Sequence, residues 1–112
     1  MTDPRAKKYL FDVLAAIDQI EEFLGNERNF DKYRKNAMLK SAVERQLIII
    51  GEVVNRLRKL DSTLPLTASH AIVQFRNHIT HEYDRIDGEN VWAILIKHLP
   101  KLKKEANSLL RM

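Results

Sequence analysis

Between Gln74 and Asp87 the chain reads QFRNHITHEYDRID, a run that gathers Arg76, Asn77, His78, Thr80, His81, Glu82 and Tyr83. Arginine stays charged and forks onto phosphate oxygens, so Arg76 could offset the charge that builds up on a phosphorus under attack. Histidine titrates near a pKa of ~6.5, so His81 could take or give a proton at neutral pH. The pair suffices for RNA cleavage without a metal. His81 would activate a ribose 2′-OH, whose attack on the adjacent phosphorus leaves a 2′,3′-cyclic phosphate. Asn77 could hydrogen-bond a phosphate oxygen or orient His81.

Spacing sets what one helix can do with these groups. A helix turns about 100° per residue, so Arg76, Thr80 and Tyr83 share a face, whereas Arg76 and His81 lie about 140° apart. The two would flank a groove. Two copies meeting across a two-fold axis could line one cleft with both pairs. From spacing alone, a surface arginine followed by a histidine satisfying helix-end carbonyls is the plainer reading. Tyr83 presents either a solvent-facing phenol or one tucked under the DRIDGEN segment. A metal site is disfavoured: His78, His81 and Glu82 do not have HExxH or HxxEH spacing, and His70 and His98 are distant in sequence. No metal ligand is assigned and no cofactor is expected.

The elements that must hold this run are helical. Thr2 or Asp3 before Pro4 starts a first helix, which carries Leu10, Val13, Leu14, Ile17, Ile20 and Leu24 and ends at Gly25-Asn26. Phe30 and Tyr33 in the polar connection are expected to pack inward. A second, long helix is predicted from Asp31 or Lys35 to Leu60, with a stripe of Met38, Val43, Leu47, Ile50, Val54 and Leu57, widened by Ile48 and Ile49. That breadth suggests a side that meets another chain. Gly51 lies mid-helix, at a cost of about 1 kcal/mol relative to alanine, which close approach of a neighbouring helix would explain. Thr67 or Ser69 caps a third helix with Ile72, Val73, Phe75 and Ile79. Asp87 caps a fourth, Glu89 to Leu99, with Trp92 in its core or at an interface; Pro100 kinks or ends it before a last amphipathic helix. The expected fold is all-α, one domain over residues 1–112, a four- to five-helix bundle.

Composition agrees. The chain has 112 residues, 45% hydrophobic and 30% charged, with three glycines and three prolines, which leaves little turn material for a β fold. It has no cysteine, which excludes disulfides and thiolate metal sites and fits a reducing cytoplasm. The apolar runs LIII and VWAILI are far shorter than the ~18 residues of a membrane span, and the N-terminus has no signal-peptide core. A soluble, cytoplasmic protein is expected. The net charge of +4 mildly favours polyanions, although each basic run is read first as a solvated helix face.

RNHITHEY (Arg76–Tyr83) resembles the Arg-x4-His-x-Tyr motif of the HepT toxins, a branch of the HEPN superfamily. The flanks are similar too: YLFDVLAAIDQIEEF to the first helix of that family, ERQLIIIGEVVNRLRK to its long second helix, and YDRIDGENVWAILIKHLPKLKKE to the run from motif to last helix. The resemblance implies a HEPN bundle that forms a homodimer, with the motif at the dimer cleft. It implies a metal-independent endoribonuclease, the toxin of a toxin–antitoxin pair acting on an RNA substrate. Arg76 and His81 match the catalytic positions and Asn77 the polar position after the arginine. Tyr83 matches the tyrosine to which the partner antitoxin, a minimal nucleotidyltransferase called MntA, adds AMP from ATP. Such an AMP would place anionic bulk in the cleft. The chain departs from the family at Glu82, where small residues are common, and in TLPLTASHAIVQF, which lacks a Pro-Trp segment. A non-catalytic partner module for a nucleotidyltransferase is the alternative reading.

Overall fold

Asp3 takes an extended conformation and its carboxylate accepts from the Arg5 N–H at 2.8 Å, so helix α1 (Pro4–Leu24) starts with a cap and a proline in its first turn. Gly25, at φ 69°, ends it in the left-handed region that glycine enters without penalty. The computed structural model describes residues 3–81 and 88–112, and for 78–81 the backbone alone.

Of the two starts expected for the long helix, the structure is close to the later one, Lys35, and from Asp31 the stretch is two helices. Short α2 (Phe30–Lys35) is capped by Asn29, and α3 (Ala37–Leu60) begins after Asn36, which is extended at φ −107° and ψ 96°. The Asn36 side chain accepts from the Leu39 N–H at 2.9 Å, so one residue ends one helix and caps the next. The corner tucks Tyr33 inside at 1% exposure, with Phe30 half-buried beside it. It also puts Met38 in the first turn of α3, 82% exposed, so that residue does not belong to the stripe. Val43, Leu47, Ile50, Val54 and Leu57 do, and all are fully buried. Ile48 and Ile49 are half-buried against the same core, so the extra width of the stripe is largely used within the chain.

After an irregular stretch containing Pro65, a 3₁₀ turn (Thr67–Ser69) leads directly into α4 (His70–His81). Neither Thr67 nor Ser69 caps α4 as expected. The acceptor comes from the other end of the chain: Glu105 takes hydrogen bonds from the Thr67 N–H at 3.1 Å, the Thr67 hydroxyl at 2.6 Å and the Ala68 N–H at 3.0 Å. Buried Ser69 donates its hydroxyl to the Leu66 carbonyl at 2.6 Å and accepts from Arg58 at 2.9 Å. The cap expected at Asp87 lies outside the described residues. Helix α5 (Gly88–Ala93) passes through a π turn (Ile94–His98), closed by the Leu99 N–H on the Ile94 carbonyl, into α6 (Leu99–Leu110). Pro100 therefore does not end the helix. Its ring would collide with the carbonyl four residues back in regular α geometry, and the wider turn immediately before it lets the helix continue.

Helix α1 packs chiefly on α3, α3 on α4, and α6 on α1. Leu10, Ile17 and Ile20 meet the α3 stripe together with Ile72 and Leu102, all at or near zero exposure. Each such side chain contributes about 1.5–3 kcal/mol on burial. Trp92 packs into this core, its ring 5.7 Å from Phe30 and 5.4 Å from Tyr33. Lys103 of α6 reaches Glu21 of α1 at 2.7 Å and Asp18 at 3.8 Å, an exposed link that contributes under ~1 kcal/mol. Among the described residues the fold is all helix, without strand.

Candidate functional site

Helix α4 carries the candidate residues Arg76, Asn77 and His81, and three sets of contacts hold it. Ile72, Val73 and Phe75 bury its inner face. The 3₁₀ turn that leads into it is tied to α6 through Glu105 and to α3 through the Arg58–Ser69 hydrogen bond. The middle of α4 lies on α3 where Gly51 removes the side chain: a methyl built there would stand 2.8 Å from the Arg76 Cβ, 3.2 Å from its Cγ and 3.4 Å from the Ile72 carbonyl oxygen. The close approach that the mid-helix glycine implies is thus to α4, at Arg76. Pairing 58 with 69 and 51 with 72–76 shows the two helices running antiparallel.

Arg76 is half-buried along its stem, and its Nη1 donates to the Asn77 Oδ1 at 3.0 Å. Two of the four candidates, Arg76 and Asn77, are therefore brought together by a direct hydrogen bond. His81 is the last residue of α4, one turn beyond Asn77 in register; its side chain, and all of Tyr83, lie outside the described residues. His70 opens α4 on the exposed side.

Beside Asn77 runs a groove of about 570 Å³ that sequence reading did not anticipate. Gln74, Phe75 and Asn77 line one wall, and Asn90, Ile94 and His98 the other. His98 stands 21 positions beyond Asn77, and only the packing of α4 against the π turn joins them. Among the described residues the lining of the groove is rich in amides, with Gln74, Asn77 and Asn90, and includes no lysine or arginine. A second groove, of about 560 Å³ between α1 and α6, contains none of the motif residues. On its rim Glu21 pairs with Lys103 and Arg28 donates to the Gly25 carbonyl, with Lys104 beside them.

Two titrating groups, Tyr33 on α2 and Glu44 on α3, are perturbed by burial. Burial pushes the Tyr33 phenol well above its ordinary value, with the charge of Glu44 adding to the shift, and its hydroxyl has no hydrogen-bond partner. Burial also pushes the Glu44 carboxyl up, against the opposing pull of Lys40. Among the described residues no three of His, Cys, Asp and Glu come together as a metal site would require.

A family model described as ribonuclease HepT-like matches residues 13–109, which includes α1 from Val13, the α3–α4 pair and the motif. The chain belongs to the HepT-like family. Relatives named as ribonucleases agree. "Probable ribonuclease HepT" of Thermococcus cleftensis is 30% identical over 107 residues, covering 92% of this chain and 94% of that one. "Putative RNase MJ1380" of Methanocaldococcus jannaschii is 30% identical over 106 residues, covering 94% and 96%. "Putative RNase MJ0125" of the same organism is 27% identical over 106 residues, covering 94% and 90%. No solved structure matches the chain significantly. HepT-like proteins are a branch of the HEPN superfamily, and the helical bundle here fits that fold. No helix among the described residues is long and apolar enough to cross a membrane.

Proposed function

We propose that this HepT-like chain is a metal-independent endoribonuclease and the toxin of a toxin–antitoxin pair. The observation that supports it is an Arg76-x4-His81 pair on one helix, inside the span matched by a ribonuclease family. Neutral His81 takes the proton of a ribose 2′-OH. The oxygen attacks the neighbouring phosphorus, the bond to the 5′-oxygen breaks, and that oxygen leaves with a proton from water or from a second His81. The products are a 2′,3′-cyclic phosphate and a 5′-hydroxyl. The Arg76 guanidinium offsets the charge on the phosphoryl oxygens, and Asn77, whose carbonyl oxygen is held by Arg76, turns amide N–H donors toward them.

The unit of action is a homodimer, because one helix places Arg76 and His81 about 140° apart and two copies complete a cleft. It works in the cytoplasm, where RNA and ATP are at hand. A minimal nucleotidyltransferase of the MntA type silences it. The Tyr83 phenolic oxygen attacks the α-phosphorus of ATP, pyrophosphate leaves, and the bound AMP repels RNA from the cleft.

The deciding assay is RNA cleavage by purified wild type and His81→Ala with EDTA and no added metal. Cleavage by wild type alone, leaving 2′,3′-cyclic ends, is expected. Loss of wild-type cleavage on adding EDTA overturns the mechanism. Absence of cleavage by protein shown by mass spectrometry to carry no AMP on Tyr83 overturns the ribonuclease reading in favour of a partner-binding role.

A further inference from the structure

Gly51 is fully enclosed between α3 and α4, yet no turn or positive φ requires a glycine there. In mid-helix, alanine is the better residue on backbone grounds. What excludes alanine is a single neighbour. A methyl at position 51 would lie 2.8 Å from the Cβ of Arg76, a separation that real side chains do not reach. A Cβ cannot swing away as the end of a long side chain can, because it moves only with its own backbone. The Ile72 carbonyl, 3.4 Å from the same point, fixes α4 on that side as well. The missing side chain of Gly51 is therefore filled by the root of the candidate phosphate-binding arginine, whose tip is held by Asn77 at 3.0 Å.

We infer that Gly51 is a positioning residue for Arg76: it sets how deeply the arginine stem sits on α3, and through that where the guanidinium meets the phosphate. This rests on the ribonuclease reading above, in which Arg76 offsets the charge of the reacting phosphate. A side chain at 51 would lift α4 by some tenths of an ångström or rotate it about its axis. Either change is carried along the Arg76 side chain to the charged end, where misplacement on the order of 1 Å costs up to ~100-fold in rate.

The test compares wild type, Gly51→Ala, Arg76→Ala and the double variant. It reads cleavage of an RNA oligonucleotide and affinity for its 2′-O-methyl counterpart, which cannot be cleaved. Gly51→Ala is expected to slow cleavage by about 10- to 100-fold with helix content unchanged. In the Arg76→Ala background the same substitution is expected to change neither reading, because the group it displaces is gone while the Cβ contact remains. Wild-type cleavage by Gly51→Ala overturns the inference. So does an equal loss in both backgrounds, which would make Gly51 a packing residue alone. Should Gly51→Ala fail to fold, Arg76→Gly placed on top of it removes the clashing Cβ and must restore the helical spectrum; persistent unfolding overturns the inference. Wild-type cleavage and affinity in Arg76→Ala would instead remove the ribonuclease reading, and the role of Gly51 would fall with it.

Discussion

The Trp92 ring lies 5.4 Å from the Tyr33 ring at an interplanar angle of 37°, and this tilted contact seals the buried end of α2 against α5. Beneath it the Tyr33 hydroxyl is out of water and has no partner. An unsatisfied buried hydroxyl costs about 1–3 kcal/mol, whereas the ring itself contributes by burial and stacking. Tyr33→Phe is therefore expected to stabilise the protein by about 1 kcal/mol, read as a rise of a few degrees in Tm. A loss of stability would show that the hydroxyl has a role in the native fold.

Glu105 is the most consequential single carboxylate for the start of α4. It accepts three hydrogen bonds from Thr67 and Ala68, two of them from backbone N–H groups. Glu105→Ala should cost about 1–2 kcal/mol, in the range of a lost helix cap. Glu105→Gln, which keeps one acceptor, should fall between the two. Urea unfolding checks both, and amide exchange at Thr67 and Ala68 should quicken in the alanine variant first.

Glu44 should make stability depend on pH in the direction opposite to most carboxylates. Burial raises its folded pKa above the unfolded value, so the folded state resists its ionisation. No penalty exists below the unfolded pKa near 4.5; it grows as pH rises through the folded value and is complete above it. Glu44→Gln is expected to raise stability at neutral pH and to lose that advantage in acid. Chemical denaturation of both proteins across this range reads the difference directly.

The register of α3 can be checked by two truncations. Leu47 is wholly buried, and Leu47→Ala should cost about 2–5 kcal/mol. Met38 is 82% exposed, and Met38→Ala should stay within ~0.5 kcal/mol. Equal costs would mean that Met38 is covered in solution.

Much of this fold is legible in the sequence where the signal is local. Asp3, Pro4 and Gly25 bound α1 through contacts within a turn, and the α3 stripe from Val43 to Leu57 follows from period alone. The break at Asn36 is harder to read, because a lone cap residue stands among helix formers and the gain that favours the corner, burial of Tyr33, is tertiary. Pro100 misleads for a related reason: the π turn that accommodates it has no local signature. At the site, Arg76 and Asn77 are neighbours in the chain and their bond is short-range. That Gly51 receives Arg76, or that His98 shares a groove with Asn77, depends on packing between helices distant in sequence.

The clamp on α4 also has a schedule. Glu105 follows Thr67 by 38 residues, so on a ribosome adding roughly 5–20 residues per second it is made about 2–8 s after its partner. Throughout that interval the 3₁₀ turn leading into the helix that bears Arg76 has no carboxylate to bond it. A nascent chain halted before residue 105 carries the whole motif but not the acceptor that ties the motif helix down, so translation itself delays the moment at which this arginine is held in place.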